Sequence, residues 1–98
     1  MAKLKIIWAS EAVNQVKQIF HFYNIRNGNN KYSKNLQRMI KETLRLVAIY
    51  PFMFPQTTYN EKRYFVCEYF KVFYSVHSQF IAIEAVFDTR QDPEKAPF

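Results

Sequence analysis

Residues 62–88 read KRYFVCEYFKVFYSVHSQFIAIEAVFD, and the fold class turns on how this stretch divides. It falls into three β-prone runs, 62–67, 70–77 and 80–88, rich in Tyr, Phe, Val and Ile. Only Glu68-Tyr69 and Ser78-Gln79 separate them. Such gaps suit tight hairpins and are too short for a crossover, so the runs form an antiparallel meander. In the second run Val72, Tyr74 and Val76 fall on one face, with Lys71, Phe73, Ser75 and His77 on the other. In the third, Ile81, Ile83, Ala85 and Phe87 share a face.

Upstream, Pro51-Phe-Met-Phe-Pro55 cannot hold regular structure and marks the change from helix to sheet along the chain. Before it, Leu36, Met39, Ile40, Leu44 and Val47 recur at helical spacing, predicting a helix that starts at Asn30 or Ser33 and runs to about Tyr50. Asn27-Gly-Asn-Asn30 breaks the chain ahead of it. A first amphipathic helix spans about residues 11–24, with Ser10 as the expected N-cap and Glu11 in its first turn. A loop this short makes the two helices an antiparallel pair. Residues 3–8 read as a short first strand. The expected architecture is α+β: an N-terminal strand and a helical hairpin packed on a four-stranded antiparallel sheet, with the other face left open. One domain over 1–93 and a loosely ordered tail over 94–98 complete the division.

The 98-residue chain carries a net charge of +6. Residues 1–50 hold nine Lys/Arg against two Glu, and the remainder holds five against six acidic groups. The positive charge therefore sits on the helices. Lys34, Arg38, Lys41 and Arg45 form a row opposite the apolar stripe of the second helix. Such a row is either a solvated face or a surface that attracts a polyanion or an acidic protein. Cys67 is single, so it forms no intramolecular disulfide and no cysteine zinc site, and it reads as a small buried apolar residue. His21 and His77 have no ligand-spaced neighbours. No signal-peptide pattern opens the chain and no apolar run is membrane-length. The expectation is a cytoplasmic protein that needs no metal or cofactor and contacts no membrane.

No Gly-rich phosphate loop is present, and no Ser or Cys has an identifiable base nearby. What remains is a set of cationic and aromatic groups on the sheet: Arg63, Tyr64, Lys71, His77 and Arg90, with Glu68 and Glu84 among them. Arg and Lys can hold phosphates, and aromatic rings can stack on unpaired bases. Each also has a plainer role. Lys71 can be an open-face charge, His77 a turn-flanking residue, Tyr64 a cross-strand partner, and the two Glu a local charge balance.

Three local patterns, in this order of elements, resemble the RelE/ParE superfamily. They are Trp8-Ala-Ser-Glu-Ala12, Phe70-Lys-Val-Phe-Tyr-Ser-Val76, and Ile83-Glu-Ala-Val-Phe-Asp-Thr-Arg-Gln-Asp-Pro93. The resemblance runs from Lys3 to Pro93. It implies the toxin of a type II toxin–antitoxin module, neutralised by a cognate antitoxin that wraps over it. RelE-like members cut mRNA on the ribosome, whereas ParE-like members inhibit DNA gyrase and cut nothing. On the first reading Lys71, Arg63 and Arg90 stabilise the scissile phosphate and Glu68 or His77 serves as acid/base. Lys34, Arg38, Lys41, Arg45, Tyr64 and His77 then contact RNA or a partner. The expected activity is ribosome-dependent mRNA cleavage. Gyrase inhibition, or a degenerate toxin that binds only its antitoxin, is the alternative. Two departures bear on the choice: nothing after Arg90 supplies the Tyr or His common near the end of RelE-like nucleases, and Lys71 stands where Arg is common.

Overall fold

A computed structural model describes residues 3–58 and 61–98. In chain order the elements are β1 (Lys5–Trp8), α1 (Ser10–Asn27), α2 (Lys31–Ile49), β2 (Arg63–Cys67), β3 (Phe70–Val76), β4 (Phe80–Asp88) and a 3₁₀ turn, Pro93–Lys95.

The helices end where their residues require it. Gly28 takes φ 69° and closes α1 in the left-handed region that suits glycine. Ala9, not Ser10, is the N-cap of α1, and no side chain caps it; Ser10 is already helical. At α2 the N-cap is Asn30, again without a side-chain cap bond, and the Asn29 carboxamide oxygen instead accepts from the Lys31 N–H at 3.0 Å. The two helices are tied by Ser33, buried on α2, whose hydroxyl lies 2.7 Å from Asn24 Oδ1 and 3.2 Å from the Phe20 carbonyl of α1.

The strand order is β1-β4-β3-β2. β2–β3 and β3–β4 pair antiparallel, as the short hairpins demand. β1 pairs parallel with β4, so the sheet is mixed and not wholly antiparallel. Chain path explains this correction. The helical hairpin goes out and comes back, so that the Leu4 N–H beside β1 bonds the Ala48 carbonyl at the end of α2 (2.9 Å). β2 therefore leaves from the end at which β1 began. In a three-strand meander the first and third strands share a heading, and β1 lies beside the third.

A second correction concerns the facing of β4. Tyr74 pairs with Ile83 but Phe73 pairs with Ala85, so Glu84 is an extra residue in a β-bulge. The bulge reverses the alternation. Ile81, Ile83 and Val86 face the helices, while Ala85 and Phe87 pair with Phe73 and Lys71 on the far side. The expected common face of Ile81, Ile83, Ala85 and Phe87 is thus split.

The core lies between this inner face and α2. Leu36, Ile40, Leu44 and Val47 pack with Phe65, Val72, Tyr74, Ile81, Ile83 and Val86. Full burial of each aliphatic side chain stabilises by about 1.5–3 kcal/mol, so the thin core depends on all of them. Tyr74 is wholly buried and its hydroxyl donates to the Pro51 carbonyl at 3.0 Å, which anchors the turn after α2 to the sheet. β1 reaches only as far as Ile83; beyond it the Gln15 side chain of α1 accepts the Val86 N–H at 2.7 Å and covers the strand edge. The segment after β4, expected to be loosely ordered, forms the 3₁₀ turn and brings the Phe98 ring 5.4 Å from that of Phe73 on the outer face.

Candidate functional site

Of the groups singled out in the sequence, Arg63 and His77 line one open groove of about 510 Å³, whereas Arg63, Lys71 and Arg90 stand apart from one another. Arg63 opens β2 and pairs with Tyr74, so it stands on the helix side of the sheet. Its guanidinium donates to the Phe54 carbonyl (2.6 Å) and the Phe52 carbonyl (3.4 Å) and lies 5.0 Å from the centre of the Phe52 ring. Lys71, on β3, pairs with Val66 and Phe87 on the outer face, and its ammonium sits 4.6 Å from the Tyr64 ring centre. Tyr74 lies three steps beyond Lys71, about 10 Å along the strand. Arg90 follows β4. Its guanidinium donates to both oxygens of Asp88 and to the Tyr23 hydroxyl of α1, with the Tyr69 ring 4.6 Å away. The hydrogen bonds from Arg90 hold the Asp88 carboxyl below its ordinary range, and the same bonds raise the Arg90 pKa.

Glu68 occupies the β2–β3 turn with φ 55°, the only non-glycine positive φ among the described residues. Its side chain is exposed and its conformation serves the hairpin. Tyr64 lies in the outer face between Lys71 and Phe73, whose ring is 6.1 Å from its own. Lys34, Arg38, Lys41 and Arg45 are all exposed on α2, and Arg38 is engaged by Glu42 and Asn35.

One constellation does form, and the sequence named His77 and Glu84 without showing that they meet through Ser75. His77 Nε2 is 2.9 Å from Ser75 Oγ, and its ring stacks on Phe80 at 4.4 Å and 11°. The Ser75 hydroxyl donates to Glu84 Oε2 at 2.8 Å, and Lys62 Nζ donates to the same oxygen at 2.6 Å. Partial burial alone would raise the Glu84 pKa; hydrogen bonds from Lys62 and Ser75 outweigh it and hold the carboxyl below its ordinary value. Ser75 and His77 at i and i+2 share a strand face, which the sequence did signal. The inclusion of Glu84 depends on the bulge, which it did not. With one Glu84 oxygen bonded by both Lys62 and Ser75, this network braces the outer face.

Two helices on one face of a four-stranded mixed sheet, with β1 beside β4, define the toxin fold of the RelE/ParE superfamily. A family model described as ParE toxin of type II toxin-antitoxin system, parDE, matches residues 6–93. The chain therefore belongs to the ParE toxin family. A solved structure, the chromosomal ParDE toxin–antitoxin system from P. aeruginosa, aligns at TM-score 0.70 and 17% identity, covering 86% of this chain and 94% of that one. No curated protein matches the chain. Neither described helix is long and apolar enough to cross a membrane.

Proposed function

We propose that this ParE-family toxin acts by binding and not by cleavage: it is a non-catalytic inhibitor of DNA gyrase, held in check by its cognate antitoxin in the cytoplasm. The observation that carries this reading is the dispersal of Arg63, Lys71 and Arg90. Stabilising a scissile phosphate requires cations aimed at one centre and fixed there before reaction. Here one guanidinium binds loop carbonyls on the inner side, another is paired with Asp88 beside α1, and the ammonium of Lys71 stands over Tyr64 on the outer face. The ParE family name leans toward the same reading, which we place ahead of ribosome-dependent mRNA cleavage.

Induction of the toxin in cells, with primer extension on a reporter mRNA and a DNA-damage reporter followed together, tests the reading. The expected result is uncut mRNA with the damage response raised. Codon-phased cuts in translated mRNA without that response would overturn it.

A further inference from the structure

Residues 46–60 contain no charged side chain, although the chain as a whole carries a net +6. Within this stretch, the last turn of α2 and the turn after it present four large apolar side chains to solvent. They are Leu46 (49% exposed), Tyr50 (55%), Phe52 (66%) and Met53 (48%). The other exposed large apolar residues, Ile7, Phe22, Ile25, Val66 and Tyr69, are divided among β1, α1 and the β2–β3 hairpin. The backbone beneath the four is held from the sheet. The Tyr74 hydroxyl donates to the Pro51 carbonyl at 3.0 Å, Arg63 donates to the carbonyls of Phe54 (2.6 Å) and Phe52 (3.4 Å), and the Tyr64 N–H donates to that of Pro55 (3.2 Å). The Met53 N–H closes a turn onto the Tyr50 carbonyl at 3.1 Å, and the Phe54 ring packs inward, 5.4 Å from that of Phe65. A backbone fixed in this way gives up little further freedom when a partner covers its exposed side chains.

We propose that this uncharged plate is the anchor by which the toxin grips its protein target, with Phe52 and Met53 entering an uncharged apolar pocket on that protein. The proposal rests on the reading above, in which the toxin acts by binding DNA gyrase. Two observations select the occupant. A stretch without charge offers no attraction to nucleic acid, whose affinity comes from Lys and Arg against phosphate. Four side chains of this size, half to two-thirds exposed, offer about 400–500 Å² of apolar surface. A stable dimer covers about 800 Å² on each partner, so the plate is too small to hold a second copy of this chain by itself. It suits the centre of an interface with a different protein, where a few large apolar and aromatic anchors carry most of the affinity.

Two double variants test the anchor. Phe52→Ser with Met53→Ser removes exposed apolar surface and leaves the backbone carbonyls that hold the loop in place. Circular dichroism should show it folded, and it should bind the cognate antitoxin as tightly as the native protein. With purified gyrase it should need roughly tenfold more toxin, or beyond, to halve supercoiling, and in cells it should not arrest growth. Phe52→Leu with Met53→Leu keeps the apolar surface and should act as the native toxin does in every assay. Full inhibition and full growth arrest by the first variant would overturn the proposal, and so would loss of inhibition by the second. Weakened antitoxin binding by the first variant would overturn it too, by making the plate an antitoxin contact. A dimer of the native toxin in sedimentation that the first variant fails to form would assign the plate to a second copy instead. If the native toxin leaves gyrase untouched, the gyrase reading fails on its own, and growth arrest then decides the anchor. Arrest lost in the first variant and kept in the second supports the anchor on another protein target; arrest kept in both overturns it.

Discussion

Replacing Glu84 by Gln keeps the side chain's size and an acceptor oxygen but removes the charge at the β-bulge. In the native protein one carboxylate oxygen takes hydrogen bonds from Lys62 at 2.6 Å and Ser75 at 2.8 Å. A hydrogen bond to a charged group is worth about 1.5–3 kcal/mol against about 0.5–1.5 for a neutral pair, a difference of about 1–1.5 kcal/mol. Lys62 and Glu84 are 28% and 24% exposed, so solvent screening brings the loss to the lower end, about 1 kcal/mol. For a domain of this size that lowers the melting temperature by about 4–8 °C at pH 7. The pH dependence fixes the cause. A carboxyl whose folded pKa is lowered contributes stability above its unfolded pKa of about 4.3 and loses it as pH falls through the folded value. The gap between native protein and Glu84→Gln should therefore close as pH is lowered from 7 to 3. Asp88, also lowered, is common to both proteins and cancels. Thermal melts followed by circular dichroism measure this. A gap of the same size at pH 3 and pH 7, or none at pH 7, would refute the argument.

Tyr74→Phe leaves the Pro51 carbonyl without its donor and should cost about 1–3 kcal/mol, read from urea unfolding, with no change in the slope of the transition. Glu68→Gly releases a left-handed backbone that costs a side-chain-bearing residue about 1–2 kcal/mol, less the 0.5–1 kcal/mol of glycine's own entropy. The net gain should be about 0.5–1 kcal/mol in the same assay, and growth arrest should persist. Burial raises the pKa of the Cys67 thiol despite its contact with Thr43, so a thiol reagent at neutral pH should label it far more slowly than in urea-unfolded chain. Labelling at the unfolded rate would mean that the β2 side of the core is open.

The two helices and three hairpin strands were legible because their signals are local: period and breaker residues for the helices, two-residue gaps for the meander. β2, β3 and β4 fall within one residue of their expected ends. What escaped was non-local. The pairing of β1 with β4, and hence the parallel contact, depends on where α2 returns the chain. The bulge at Glu84 leaves no mark in a run reading Ile-Ala-Ile-Glu-Ala-Val, yet it decides which side chains reach the core and joins Glu84 to Ser75. The cationic residues were visible as types, but their distribution over two faces and beside α1 was not. A list of Arg63, Lys71 and Arg90 therefore suggested a cluster that the fold does not build.

The proposal of action by binding is tested most directly with purified DNA gyrase, relaxed plasmid, ATP and micromolar toxin. Supercoiling should fall with toxin concentration and recover when the cognate antitoxin is added. Undiminished supercoiling, together with cleavage of mRNA on ribosomes by the same preparation, would contradict it.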